Sequence, residues 1–98
     1  EGRKRLHLAA VFACNFTNHM YALTQELLDD YGLPFDVMLP LIDETTQKVH
    51  RLSPKQAQTG PAARGDKKVM DAHRKMLADK PQLECIYQLL SDSIEKMK

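Results

Sequence analysis

The sequence predicts an all-α fold of about five helices with a long central first helix. Glycine and proline divide the chain into segments, with glycine at positions 2, 32, 60 and 65 and proline at 34, 40, 54, 61 and 81. Within each segment apolar residues recur with the helical period, and no strand-like alternation, internal repeat or low-complexity tract is present. The 98 residues are expected to form one domain, 1–98, with a modest hydrophobic core.

The first predicted helix runs from about Arg3 to Tyr31 and ends at Gly32, which suits a left-handed C-cap. On a wheel of about 100° per residue, one apolar stripe is expected to face the core. Its members are Leu6, Ala9, Ala13, Phe16, Met20, Leu23 and Leu27. The stretch Leu8–Cys14 is apolar without interruption. A helix that is apolar nearly all round is buried on several sides, so we expect it to be central or to pack against a second subunit or domain.

The second predicted helix runs from about Asp36 to Arg51. Pro40 is expected either to mark its true start or to bend its first turn, because proline cannot continue the hydrogen-bonding ladder. Glu44 and Lys48 have the spacing of an i,i+4 ion pair on one helix face. We therefore expect these two charges to pair.

Capping residues set the starts of the last three predicted helices. The third is short, with Ser53 as N-cap and Gln56 completing a capping box, and it ends at Gly60. The fourth begins with Asp66 as N-cap, and the fifth begins near Pro81.

Charge and cysteine content narrow the class of protein. Lysine and arginine number 14 and acidic residues 13, so the net charge of +1 gives no electrostatic reason to expect nucleic acid. No run of about 18 apolar residues predicts a membrane span. Cys14 and Cys85 lie far apart in apolar patterns and are expected to be reduced core thiols, which favours a cytoplasmic protein. The four histidines lack metal-ligand spacing, so no metal site is predicted.

A polar stripe on the first helix is the first candidate binding element. His7, Asn15 and Asn18 project within about 80° of one another on the wheel. Asparagine is a mediocre helix former, and its amide both donates and accepts, which suits a carboxylate, a carbonyl or a nicotinamide amide. Alternatively, these are surface residues or partners of neighbouring loops. Val11 and Ala22 in the same stripe make a fully solvated face less natural.

The segment Thr59–Asp66 is the second candidate, because two glycines, a proline, a cation and an anion fall within eight residues. Gly60 and Gly65 permit close backbone approach or positive φ. Arg64 lies just before a helix N-terminus, where a guanidinium and the helix dipole favour an anion. Alternatively, Arg64 pairs with a nearby carboxylate and pins the loop. The triplet Arg64-Gly65-Asp66 also matches an integrin-binding sequence, but three residues match by chance often, and reduced thiols argue against an extracellular role.

Two stretches, His7–Phe16 and Thr59–Asp66, resemble a bacterial family of proteins assigned as NADP-dependent oxidoreductases. The resemblance covers nearly the whole chain, and the two motifs at this separation are fairly specific. Members of that family have an N-terminal Rossmann domain and a C-terminal helical domain of unknown function. The resemblance implies that this chain is the helical domain, a fragment of a longer protein without its Rossmann domain. The absence of an initial methionine at Glu1 fits that expectation.

The resemblance extends to the C-terminal domains of 6-phosphogluconate dehydrogenase, pyrroline-5-carboxylate reductase and ketopantoate reductase. Such domains form much of a homodimer interface and close the substrate side of the active-site cleft. The expected function is therefore substrate binding and dimerisation in an NAD(P)-dependent oxidoreductase, with no catalysis by this fragment alone. NADP or NAD would be bound mainly by the missing domain, and no cofactor is expected in this fragment. The expected substrate- or cofactor-facing residues are Asn15, Asn18, Thr59, Gly60, Arg64, Gly65 and Asp66.

One position departs from that resemblance. Several of those enzymes carry a lysine four residues before an asparagine on the first helix of this domain. If Asn15 is that asparagine, the lysine position holds Val11, and His7 is the candidate catalytic residue in its place because imidazole titrates near neutral pH. The alternative function is a non-catalytic helical dimerisation or interaction module, in which the polar residues only complete the surface.

Overall fold

A computed structural model describes all 98 residues, Glu1–Lys98, and confirms an all-α fold with 78% helix and no strand. The elements are α1 (Gly2–Ala10), a π-helical segment (Val11–Phe16), α2 (Thr17–Asp29), a 3-10 turn (Phe35–Met38), α3 (Leu39–Lys48), α4 (Pro54–Ala57), α5 (Pro61–Arg64), α6 (Lys67–Met76) and α7 (Pro81–Lys96). The first three are continuous and make one long helix of 28 residues, the first of six. None of the helices combines the length and apolar character that crossing a bilayer requires.

The chain divides into two units, Glu1–Ile42 and Asp43–Lys98. In the first unit the long helix is closed as predicted, by Gly32 in the left-handed region at φ 66°. The Leu33 N–H donates to the carbonyl of Leu28 at 3.1 Å, which satisfies a carbonyl that the helix end would leave without a partner. The chain then turns away at the glycine, as the sequence predicts.

All of the buried residues lie in the second unit. Ala62, Met70, Leu77 and Ser91 are at most 9% exposed, and they belong to α5, to α6 with its C-cap, and to α7. The short helix α5 packs against both α6 and α7. Helix α5 is therefore an integral part of this small core.

Two polar contacts hold α6 against α7. The Nδ1 atom of His73 lies 2.8 Å from the hydroxyl of Tyr87, and the two rings meet edge-on. The Nε of Arg74 donates to the Oε2 of Glu84 at 2.7 Å. His73 therefore has a structural hydrogen bond.

The local start signals in the sequence are confirmed. Ser53 and Gln56 form the reciprocal capping box at the start of α4. The Oδ1 atom of Asp66 accepts from the backbone N–H of Val69 at 3.2 Å and caps α6. Pro40 lies in the first turn of α3, so it marks the true start of that helix. These signals are readable because each depends on neighbours within a few residues.

The expectation that the apolar stripe of the first helix packs into the core of this chain is wrong, and its packing against a second subunit or domain stays a prediction. Six of the seven stripe residues are exposed, and only Leu23 is half-buried. Cys14 and Cys85 are free but exposed, so they are not core thiols. The core of this chain is built from α5 to α7, and the stripe is therefore not the face on which that core forms.

The expected pairing of Glu44 with Lys48 is also wrong. The carboxylate of Glu44 lies 3.6 Å from the guanidinium of Arg51 instead. Arg51 follows the end of α3, and its long side chain reaches back to the helix face. Both side chains are more than half exposed, so this ion pair contributes little to stability.

Candidate functional site

The long helix changes its hydrogen-bonding period at its middle. Residues Val11–Phe16 adopt π-helical geometry, in which each N–H bonds to the carbonyl five residues earlier. The rings of Phe12 and Phe16 meet edge-on with centroids 5.2 Å apart, and the Thr17 hydroxyl donates to the Phe12 carbonyl at 3.5 Å. π-Helical turns inside α-helices are frequent at functional sites. This one contains Asn15.

The π-helical segment changes which side chains share a face. A turn that closes on i→i+5 holds one residue more than an α-turn, which rotates the faces of α2 by about 100° relative to those of α1. The wheel that aligned His7 with Asn18 assumed α geometry throughout. Their alignment therefore does not follow from the wheel. All three polar residues of the stripe, His7, Asn15 and Asn18, are solvent-exposed.

The segment Thr59–Asp66 is not the open loop that the sequence suggests. Pro61–Arg64 form the helical turn α5, with Gly60 at φ 105° before it and Gly65 at φ 70° after it. The Asp66 N–H donates to the Pro61 carbonyl at 2.9 Å and closes the turn. The helical turn has a physical cause. Proline favours the first position of a helix, and a glycine on each side allows the chain to enter and leave it with positive φ.

The side chain of Arg64 extends from this turn into solvent. Its guanidinium lies 3.9 Å from the Asp66 carboxylate, and its side chain is 61% exposed. A long, exposed ion pair of this kind is worth at most about 1 kcal/mol, so it holds Arg64 only weakly. The Asp66 carboxylate also caps α6, so one of its oxygens already accepts a hydrogen bond within the protein. The alternative pairing of Arg64 with a nearby carboxylate is therefore present but weak, and the guanidinium stays accessible to an anion.

Two hollows border this segment within the second unit. The smaller, of about 210 Å³, lies between α3 and α4, and Thr59 is one of its lining residues together with Lys48. The larger, of about 510 Å³, is bounded by α4, α5 and the end of α7 and has Lys55 and Lys98 as its charged members. Neither hollow has a carboxylate in its lining. No group of three His, Cys, Asp or Glu side chains is placed to hold a metal ion.

The predicted site residues are divided between the two units of the chain. His7, Asn15 and Asn18 lie in Glu1–Ile42, and Thr59–Asp66 lies in Asp43–Lys98. A common crevice for the two groups stays a prediction. Sequence reasoning missed Lys48, whose apparent partner Glu44 concealed it, and the π-helical segment, for which the apolar run gives no signal.

The helical fold and the two motifs agree with what comparison with known proteins shows. Residues 1–94 match the family described as Domain of unknown function (DUF2520), and the chain belongs to that family. The match also confirms the resemblance drawn from the two motifs.

A solved relative comes from Bacteroides fragilis. The chain is similar to the crystal structure of a putative NADP oxidoreductase from that organism, with 66% sequence identity and a TM-score of 0.95. The alignment covers 97% of this chain and 37% of that one, so this chain spans little more than a third of the relative's length. No curated protein matches the chain.

Proposed function

We propose that this chain is the substrate-binding and dimerisation domain of an NAD(P)-dependent oxidoreductase. The observation that carries the proposal is the 66% identity, over nearly the whole chain, to part of a protein described as an NADP oxidoreductase. An all-helical chain has no strand followed by a glycine-rich turn, which is the device that holds a dinucleotide in a Rossmann fold. NADP or NAD is therefore held mainly by a separate Rossmann domain in the parent protein.

The side chains suited to a substrate come from two places. Asn15 and Asn18 offer amide donors and acceptors beside the π-helical segment, and His7 offers an imidazole for proton transfer. On the second unit, the exposed guanidinium of Arg64 supplies a charge for an anionic group. Arg64 belongs to α5, and the burial of Ala62 holds that helix in place. The flanking residues Thr59, Gly60, Gly65 and Asp66 would line the same side of the substrate.

Exposed apolar side chains on the long helix support dimerisation. Leu6, Leu8, Phe12 and Phe16 are between 52% and 74% exposed. Several large apolar side chains exposed along one helix are typical of a surface that another protein covers. A homodimer buries the same patch of each subunit against its copy, so one such helix serves both partners.

Turnover by the parent protein tests the substrate-binding role. A panel of small carbonyl compounds is screened for NADPH-dependent reduction, and the best substrate is then measured with Arg64→Ala and Asn15→Ala. Loss of a charge-assisted hydrogen bond costs about 1.5–3 kcal/mol, which predicts at least a tenfold lower kcat/KM for Arg64→Ala. Arg3→Ala, which removes an exposed arginine outside the proposed site, serves as the matched control. Equal kcat/KM in Arg64→Ala, Asn15→Ala and the wild type would remove the proposed site.

The same apolar side chains favour one alternative, a non-catalytic helical dimerisation module. In that case the variants at Arg64 and Asn15 leave every measured activity unchanged, and the protein is still a dimer by light scattering. Loss of turnover in those variants with the dimer intact favours the oxidoreductase domain.

A further inference from the structure

We propose that the hollow between α3 and α4 is an oxyanion site, in which Lys48 and Thr59 hold a carboxylate or phosphate group of the substrate. Anion binding at this hollow is inferred from the residues that line the hollow and does not depend on the proposed function. Only its assignment to the substrate rests on the proposed function.

Lys48 is a half-buried lysine without a carboxylate partner. It lies in the last turn of α3 and lines the hollow. The carboxylate one turn earlier, Glu44, pairs with Arg51, and Lys48 itself makes no ion pair. An ammonium that the protein leaves without a carboxylate partner gains free energy when an anion binds beside it.

Hydrogen bonding at the end of α3 does not require the Lys48 ammonium. A cation near a helix C-terminus is favoured by the dipole and can bond to the last carbonyls. Here the carbonyls of Gln47 and Lys48 already accept backbone N–H groups from His50, Arg51 and Leu52. The ammonium of Lys48 is therefore not required to satisfy them.

Thr59 supplies a neutral donor to the same hollow. The Gln58 side chain donates from Nε2 to the Thr59 carbonyl at 2.9 Å, so that carbonyl is satisfied within the protein. The hydroxyl of Thr59 has no hydrogen-bond partner in the protein and can donate to a ligand. A hydroxyl and an ammonium from residues that line one hollow are suitable donors for an oxyanion.

The shape and lining of the hollow set the class of ligand. Apolar Val49, Pro54 and Ala57 form part of its wall and can contact a short apolar body attached to the anion. No acidic side chain is among its lining residues, so an anion meets no repulsion there. Its volume of about 210 Å³ is below that of most drug-sized sites. It therefore fits a carboxylate or phosphate with a short body.

Lysine footprinting of the natural full-length protein tests this site. The protein is treated with an amine-acetylating reagent, and the rate at each lysine is read by mass spectrometry, with and without inorganic phosphate or propionate. At a ligand concentration about ten times the Kd, acetylation of Lys48 is expected to slow about tenfold, since the free fraction falls in that ratio. Lys55, which lines the other hollow, and Lys96, which lines neither, are the internal controls and should react at unchanged rates.

Each result then supports or overturns the site. Protection by phosphate alone indicates a phosphoryl group, and protection by propionate alone indicates a carboxylate. Thr59→Val should weaken the protection, and Thr59→Ser should retain it, because only the serine keeps a hydroxyl. Equal acetylation of Lys48 with and without both probes overturns the proposal. So does equal protection of Lys96, because that result indicates general screening.

A titration of the same preparation with NADPH separates this inference from the proposed function. If NADPH binds and Lys48 is not protected, the oxyanion site is wrong and the oxidoreductase assignment stands. If Lys48 is protected and NADPH does not bind, the oxyanion site stands and the assignment is wrong.

Discussion

At the scale of single residues, a few side chains perform two structural tasks at once. Asp66 caps α6 through Oδ1 and stands 3.9 Å from the guanidinium of Arg64 through Oδ2. His73 and Tyr87 both join α6 to α7 and occupy part of the space between them. Substitutions that separate these tasks show which one matters for stability.

Asp66→Ala is expected to lower the free energy of unfolding by about 1 kcal/mol, because it removes the N-cap of α6. Asp66→Asn keeps an oxygen that can cap the helix and removes only the charge facing Arg64. It should therefore stay close to the wild type in urea unfolding. If Asp66→Asn is as destabilised as Asp66→Ala, the ion pair and not the cap is what stabilises this segment.

The contribution of Tyr87 to the free energy of unfolding is expected to fall at alkaline pH. Burial raises the pKa of the Tyr87 hydroxyl above its ordinary value of about 10. The unfolded chain therefore ionises this tyrosine first, so its contribution to the free energy of unfolding is complete below pH about 10 and is lost as pH rises through the folded pKa. Tyr87→Phe should remove that part of the alkaline decline and cost about 1 kcal/mol at neutral pH, since it breaks the bond to His73. Tyr31→Phe, at an exposed tyrosine, is the control. Identical pH profiles for Tyr87→Phe and the wild type would contradict this prediction.

At the scale of elements, the π-helical segment and α5 are the two features that position the candidate residues. Val11–Phe16 sets the rotation of α2 relative to α1, and so decides which way Asn18 faces compared with His7. α5 is only four residues long, yet it contains Ala62, which is 4% exposed. Buried Ala62 fixes the turn from which exposed Arg64 extends.

Deleting Ala13 is expected to convert the π-helical segment into regular α-helix, because the deletion removes the one extra residue of the i→i+5 turn. Helix content by circular dichroism should be retained. Because the wide turn accommodates that extra residue, α1 and α2 should keep their relative orientation after the deletion, and dimerisation should be retained. Turnover should fall, because Asn15 no longer lies in a π-helical turn. Ala13→Ser, which keeps the chain length, is the matched control. A deletion variant with wild-type turnover would show that the π-helical turn has no functional role.

At the scale of the whole molecule, local signals could be predicted and burial could not. The capping box at Ser53 and the glycine cap at Gly32 were readable because their hydrogen bonds lie within six residues. Exposure of the apolar stripe was not readable, since a hydrophobic pattern shows that a face is covered without showing what covers it. The unpaired state of Lys48 was hidden for a related reason, because Arg51 competes for Glu44 from outside the helix.

If the apolar surface of the long helix is the dimer interface, a charge placed on it should prevent dimerisation. Phe12 is 63% exposed, and Phe12→Glu places a charge on the surface that a second copy would cover. Light scattering should then report a monomer where the wild type is a dimer, because burying an unpaired carboxylate costs several kcal/mol. Lys96→Glu, which places the same charge at the end of α7, should leave the dimer unchanged. A Phe12→Glu variant that dimerises as the wild type does would show that this surface is not the interface.

Fluorescence titration of the natural full-length protein with NADPH tests the central claim most directly. The account predicts saturable binding, and weaker binding in Asn15→Ala than in the control Gln47→Ala, which removes an exposed amide on α3. Absence of NADPH and NADH binding by the wild-type protein would contradict the assignment of this helical domain to an oxidoreductase.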